Sequence, residues 1–182
     1  VYSAKGGVGK STLSTLIAQT IANKKQQTGI LDADIHGPSI HSLLGINKED
    51  ITIADNKIQP AVSQNNIQCV SFGLLAPEQS AIQWRGPMIS KAITQMCFDV
   101  MWQNIDWLVF DFPPGTGDVQ LTLFDKIHFD AIVIVTTAQD LAMLDVKRTI
   151  GLLSHKDLPI SGVIENMAYH TCDNCKNTSH LW

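Results

Sequence analysis

Near the start of the chain, the segment Lys5-Gly6-Gly7-Val8-Gly9-Lys10-Ser11-Thr12 combines three glycines, two lysines and two hydroxyls. Glycines at that density let a loop wrap a phosphate so closely that side chains would collide with it, with backbone N–H groups turned inward. A helix beginning at Lys10 adds the partial positive charge of its N-terminus. In that arrangement Lys10 reaches the β and γ phosphates of ATP and the Ser11 hydroxyl sits on Mg²⁺. Gly6, Gly7, Val8, Gly9, Lys10, Ser11 and Thr12 are therefore the expected nucleotide contacts. The general pattern asks for glycine where Ala4 stands, and a second lysine, Lys5, opens the loop instead.

A phosphate loop names a ligand but no reaction, so the carboxylates carry the next step. Asp111 follows the apolar run Trp107 to Phe110, the position from which an aspartate binds Mg²⁺ or its water shell. After it comes Phe112-Pro113-Pro114-Gly115-Thr116-Gly117-Asp118, a Pro/Gly loop at the C-terminal end of a strand, where open α/β sheets bind ligands; it suits a sensor of the γ-phosphate. Asp32 and Asp34 end a second strand and lead into His36-Gly37-Pro38-Ser39. Asp34 is placed to hold or activate an attacking water, with Asp32 hydrogen-bonding locally; capping or turn roles would use the same residue types.

Cys172-Asp173-Asn174-Cys175 is a separate chemical feature. Two thiolates at this spacing bind Zn²⁺ or an iron–sulfur cluster, or exchange with disulfides, and a closed metal site needs about four ligands. A second copy of the chain would supply two more cysteines. Alternatively, His170 and His180 would complete a zinc site within one chain. Cys69 lies in a strand-like run and Cys97 in a helical one, where buried packing is expected.

Strand-like apolar runs alternate with segments of helical period, which argues for an α/β domain with a mostly parallel sheet buried on both faces. Leu13, Leu16, Ile17 and Ile21 place a helix over 10–24. The expected strands are 28–32, 107–110 and 131–135, with a weaker one at 160–164. Between Asn47 and Gln68 short Ile-containing pieces, Pro60 and several Asn suggest a small hairpin insertion in what is otherwise one domain over 1–182. Val1-Tyr2-Ser3 resembles the end of a strand without its beginning, and the chain stops directly after the Cys pair, so both ends look cut. At 182 residues, 45% hydrophobic and 16% charged, with a formal charge of −4, the composition fits one core and offers no broad basic footprint for nucleic acid or anionic lipid. No apolar run approaches the roughly 20 residues that span a bilayer. Few, unevenly spaced cysteines point to a reducing compartment, the cytoplasm or an organelle such as the mitochondrion.

Together these residues carry a family resemblance. The loop from Lys5 to Ser11 resembles the deviant Walker A of the group containing MinD, ParA and the nitrogenase iron protein. Four further stretches resemble the Mrp/ApbC-type iron–sulfur cluster carrier ATPases: Asp32-Ala33-Asp34 through Gly37-Pro38-Ser39; Trp84-Arg85-Gly86-Pro87-Met88; Asp111 through Leu121; and Glu165-Asn166-Met167 followed by Cys172 and Cys175. The match runs over nearly the whole chain. His41 departs from it, falling where the family commonly has proline.

The resemblance implies a three-layer P-loop NTPase fold, its parallel sheet flanked by helices. It implies that Lys5 acts across a homodimer on the partner's ATP, that Lys10, Asp34 and Asp111 serve catalysis, that Ser11 and Asp111 hold Mg²⁺, and that Asn166 faces the adenine. Cys172 and Cys175 would join their symmetry mates in holding one [4Fe–4S] cluster, delivered to apo iron–sulfur proteins with slow ATP hydrolysis. Two other readings use parts of the same pattern. A MinD- or ParA-like positioning ATPase with a structural zinc would need a membrane helix or basic DNA-binding surface, and an electron carrier like the nitrogenase iron protein would cycle its cluster without losing it.

Overall fold

A computed structural model describes residues 1–35, 37–54, 57–75 and 86–180. Its elements run in the order α1 (Lys10–Asn23), β1 (Thr28–Asp32), α2 (Ile40–Leu43), β2 (Thr52–Ala54), β3 (Lys57–Gln59), β4 (Ala61–Val62), β5 (Ile67–Ser71) and α3 (Phe72–Leu75). They continue with α4 (Gly86–Phe98), β6 (Trp107–Asp111), α5 (Asp118–Lys126), β7 (Ile132–Thr136), α6 (Asp140–His155), β8 (Ile160–Glu165), β9 (Tyr169–Thr171) and β10 (Thr178–His180).

β1 is buried along its length because it lies between two parallel neighbours, with Ile30 level with Cys69 and Val109, and Asp32 level with Ser71 and Asp111. Successive residues then face opposite sides, as strand pleating requires. Ile30, Cys69 and Val109 share one core with Ala18 of α1 and Ile40 of α2, while Leu31, Val70 and Phe110 share another with Ile89 and Ile93 of α4 and Leu123 of α5. A strand covered on both faces needs no polar alternate position at its centre, where Gly29-Ile30-Leu31 run without one.

Val1–Ser3 knits this sheet to the β7–β8 pair. The Val1 nitrogen donates to the Phe110 carbonyl (2.6 Å) and Phe112 N–H to the Val1 carbonyl (3.1 Å). On the other side Tyr2 N–H donates to Val133 (2.9 Å) and Val135 N–H to Tyr2 (2.8 Å). The strand order is therefore β4-β5-β1-β6, then Val1–Ser3, then β7-β8, with only the short β4 antiparallel among the described residues. This is the α/β fold with a mostly parallel sheet that the sequence implies.

The stretch expected as an insertion over 47–68 needs one correction. A hairpin does form, from β2 and β3, but Ile67 and Gln68 already belong to β5, a central strand. Gln68 is accommodated there because its side-chain amide pairs with the backbone of Gln103, accepting at 2.8 Å and donating at 2.7 Å. Cys69 and Cys97 pack inside as expected; burial pushes the Cys97 thiol up to about 12 and raises Cys69 further.

Candidate functional site

The C-terminal ends of β1, β6 and Val1–Ser3 meet at one edge of the sheet, and the loop from Ala4 to Gly9 leaves that edge to start α1. Gly7 (φ 78°) and Gly9 (φ 86°) turn it with left-handed backbone. Gly9 is further constrained, since a Cβ there would lie 2.3 Å from the Asn166 side-chain nitrogen. The loop encloses a cleft of about 190 Å³ lined by Gly6, Gly7, Lys10, Ser11, Asp34 and Pro114, among others. A larger hollow of about 400 Å³ opens at the opposite edge of the strands beside Gln27, Gln68 and Gln103, but none of its lining side chains is titratable.

Inside the cleft, fully buried Asp111 gathers its partners tightly. Its Oδ2 accepts from Ser11 Oγ (2.7 Å) and pairs with Lys10 Nζ (2.7 Å), and its Oδ1 accepts from Ser14 Oγ (2.6 Å). Ser14 was not anticipated from the sequence. Its signal was its spacing, one helical turn after Lys10 and so on the same face of α1, with its Oγ also bonded to the Lys10 carbonyl at 3.0 Å.

Asp32, level with Asp111 and equally buried, anchors the next loop. Its Oδ1 accepts from Asp34 N–H (3.1 Å), and its Oδ2 from Ser39 N–H (3.0 Å), Ile40 N–H (3.1 Å) and Ser71 Oγ (2.9 Å). Burial, then the charge of Asp111, pushes its carboxyl up to about 6 against the opposing pull of these hydrogen bonds. Asp32 thus does what the sequence suggested, holding in shape the turn that places Asp34 at the cleft wall. Asp34 accepts from Gly37 N–H at 3.1 Å.

The Pro/Gly loop after β6 is tied at three carbonyls: Gly115 accepts from the Tyr2 hydroxyl (2.7 Å), and Pro113 and Pro114 from Gln120 Nε2 (3.2 and 2.9 Å). Lys5 is exposed and outside the cleft wall, and its ammonium donates to Gln139 Oε1 at 2.7 Å, at the start of α6. Asn166 lies at the end of β8, where its side-chain amide donates to the Val8 carbonyl (2.9 Å) and its N–H to Thr136 (2.8 Å). Ser11 Oγ and Asp111 Oδ2 are hard oxygen donors side by side, a set that fits Mg²⁺. His36, Trp84 and Arg85 lie outside the described residues.

Cys172 and Cys175 sit apart, on the turn between β9 and β10. Cys172 N–H donates to Asn177 and Lys176 N–H to Cys172, both at 2.9 Å, and Lys176 takes φ 55° to close the turn. Hydrogen bonds from the Cys175 and Asn174 N–H groups, with one from the Cys175 side chain, hold the Cys172 thiol below the usual cysteine range. Among the described residues no three His, Cys, Asp or Glu side chains come together as a metal site. The single-chain zinc site with both histidines is not formed: Ser179 lies opposite His170 and His180 opposite Tyr169, so alternation puts the two imidazoles on opposite faces of the ribbon.

A glycine loop opening a helix at the C-terminal edge of a parallel sheet, with a carboxylate at the tip of the adjacent strand, defines a P-loop NTPase. The family described as "NUBPL iron-transfer P-loop NTPase" matches residues 1–182, and the chain belongs to it. It is 47% identical over 174 residues to the iron-sulfur cluster carrier protein of Rickettsia conorii, covering 96% of this chain and 54% of the relative. To the protein of the same name from Escherichia coli K12 it is 43% identical over 175 residues, covering 96% and 47%. The chain spans about half the length of these curated relatives. Among solved structures, a nucleotide-binding protein from Archaeoglobus fulgidus in complex with ADP superposes with a TM-score of 0.85 at 36% identity, covering all of this chain and 71% of that one. MinD from Pyrococcus horikoshii, complexed with Mg-ADP, shares the fold at a TM-score of 0.63 and 17% identity, covering 91% and 68%. Among the described residues no helix is long and apolar enough to cross a membrane.

Proposed function

We propose that this chain is the nucleotide-binding part of an ATP-dependent carrier that holds a [4Fe–4S] cluster between two copies of itself and delivers it to apo iron–sulfur proteins. One observation carries the reading. A formed phosphate loop and a Cys pair on an open turn, with N–H groups turned toward Cys172, occupy the same chain, and among the described residues no further ligands join that pair to close a metal site. Two such pairs make a Cys₄ set, the usual complement of a four-iron cluster. The names of the relatives support the same cargo.

In this reading the N–H groups from Gly6 to Thr12 receive the phosphates, and Lys10 turns from Asp111 toward the β and γ phosphates. Ser11 and Asp111 then hold Mg²⁺, which when bound neutralises phosphate charge. Asp34 orients the attacking water from the cleft wall, Asn166 presents its amide to the adenine, and Lys5 leaves Gln139 to reach the nucleotide of the second copy. Hydrolysis is slow because the loops around the γ-phosphate must first close between subunits, and nucleotide state then biases whether the cluster is held or released. Unpaired cysteines suit the reducing cytoplasm or an organelle.

The test is anaerobic purification of the full-length protein, with the visible spectrum recorded and iron, sulfide and zinc counted. A broad visible band with about four irons and four sulfides per dimer is expected. Zinc without colour, persisting through attempted reconstitution, would replace this reading with a positioning ATPase bearing a structural metal.

A further inference from the structure

We propose that Asn166 is a positioning residue that passes the state of the phosphate loop to the Cys172–Cys175 hairpin; the inference rests on the nucleotide and cargo reading above. Its side-chain amide donates to the Val8 carbonyl at 2.9 Å. Val8 C=O and Gly9 N–H belong to one rigid peptide plane, so a phosphate that draws the Gly9 N–H inward must also swing the carbonyl that Asn166 grips. There is no slack in this contact. A Cβ on Gly9 would stand 2.3 Å from Asn166 Nδ2 and 3.8 Å from Met167 Cε, so loop and turn already touch.

On its other side Asn166 has firm footing and a short lead. Its N–H is bonded to Thr136 at the end of β7, and the next residue, Met167, turns the chain with φ 55° directly into β9, whose end is followed by Cys172. β9 and β10 are exposed along their lengths and, among the described residues, pair only with each other. The hairpin's direction is therefore set at its base, by the turn that Asn166 holds. A rotation of the Val8–Gly9 peptide reaches the cysteines through this one side chain and the strand behind it.

The experiment uses cluster-free, reduced full-length protein and follows alkylation of Cys172 by iodoacetamide, read by mass spectrometry of its peptide, with and without saturating Mg-ATP. Unsubstituted protein should change its Cys172 rate by about fivefold or more on binding ATP, the lower end of ordinary coupling between sites. Asn166→Asp keeps an oxygen for the adenine amino group, removes the donor to Val8 and sets a negative charge against that carbonyl, while Asn166→Ala removes the donor without adding charge. With nucleotide re-titrated to saturation, both variants should lose most of the change. A full nucleotide effect in Asn166→Asp, or an unsubstituted protein that binds ATP with no response at Cys172, overturns the coupling while leaving the carrier reading standing. Failure of the unsubstituted protein to bind ATP overturns both.

Discussion

The phosphate cleft and the cysteine hairpin are built on opposite principles. In the cleft every charged group has its partners inside the chain: Asp111 is met by Ser11, Ser14 and Lys10, and Asp32 by Ser71 and three backbone N–H groups. Such a site is organised before its ligand arrives, which is how fixed dipoles contribute most to binding and catalysis. At the hairpin, residues from Cys172 to Asn177 are tied mainly to one another and nearly all exposed, and in the proposed reading the thiols take their partners from outside the chain. One site is completed by folding and the other by what binds it, so damage to each should show in a different measurement.

The sharpest break is at the cysteines. Cys172→Ala should abolish cluster binding outright, read as loss of the visible band and of bound iron. The thermal midpoint of the cluster-free protein and its ATP affinity should barely move, because this side chain lies on a surface turn and belongs to neither hydrophobic core. A variant that still delivers iron and sulfide to an acceptor would remove the carrier role.

Lys10→Ala should act on function and fold together. Losing the charge at the phosphates should cost roughly a hundred- to a thousand-fold in ATP turnover. Lys10 is also 6% exposed and paired with a fully buried carboxylate, so its removal strands Asp111 and should destabilise the protein by about 3–5 kcal/mol. Asp111→Asn in the same chain should restore most of the stability and none of the turnover. If denaturant melts find the single and double variants equally stable, the buried pair is not what holds this end of α1.

Ser14→Ala sharpens the contrast from within the cleft. It removes a hydrogen bond to one oxygen of a buried carboxylate, with an expected loss of about 2 kcal/mol in unfolding free energy. The equivalent deletion on the hairpin, Thr171→Ala, removes an exposed contact to Thr178 and should be nearly silent.

The same contrast explains what the sequence could disclose. The paths of α1 and β1 were legible because local pattern and burial agree there: a glycine loop, a helical repeat and a buried strand follow one another in the chain. β5 was partly hidden, because Gln68 and Ser71 interrupt its apolar run and are satisfied by Gln103 and Asp32, residues far away in sequence. Ser14 and Gln139 carry no motif of their own, and their roles arise only when Asp111 and Lys5 arrive beside them. The cysteine spacing was plain, but the exclusion of a two-histidine zinc site needed the β9–β10 register, which a short polar hairpin does not encode in any periodicity.

The mildest expected change is at His41, on the short helix α2. Ser71 has one hydroxyl proton, and that proton goes to Asp32 at 2.9 Å. The 3.2 Å contact between Ser71 Oγ and His41 Nδ1 therefore requires the imidazole to donate, which fixes the proton on Nδ1. Ser71 Oγ also accepts from Gly73 N–H at 3.3 Å, so it keeps a donor when the imidazole is removed. His41→Ala should consequently cost under about 1 kcal/mol and leave the Asp32 turn intact. Its clearer effect is on acid sensitivity. Burial first, and the charge of Lys48 second, hold His41 below the ordinary histidine range. As pH falls through that range the unfolded chain takes up a proton before the folded one, so the histidine lowers stability on acidification, and the alanine variant should show a shallower decline. Equal slopes in the two proteins between neutral and mildly acidic pH would mean that the histidine is free to turn to solvent, and that Asp32 and Ser71 hold the Asp34 loop without it.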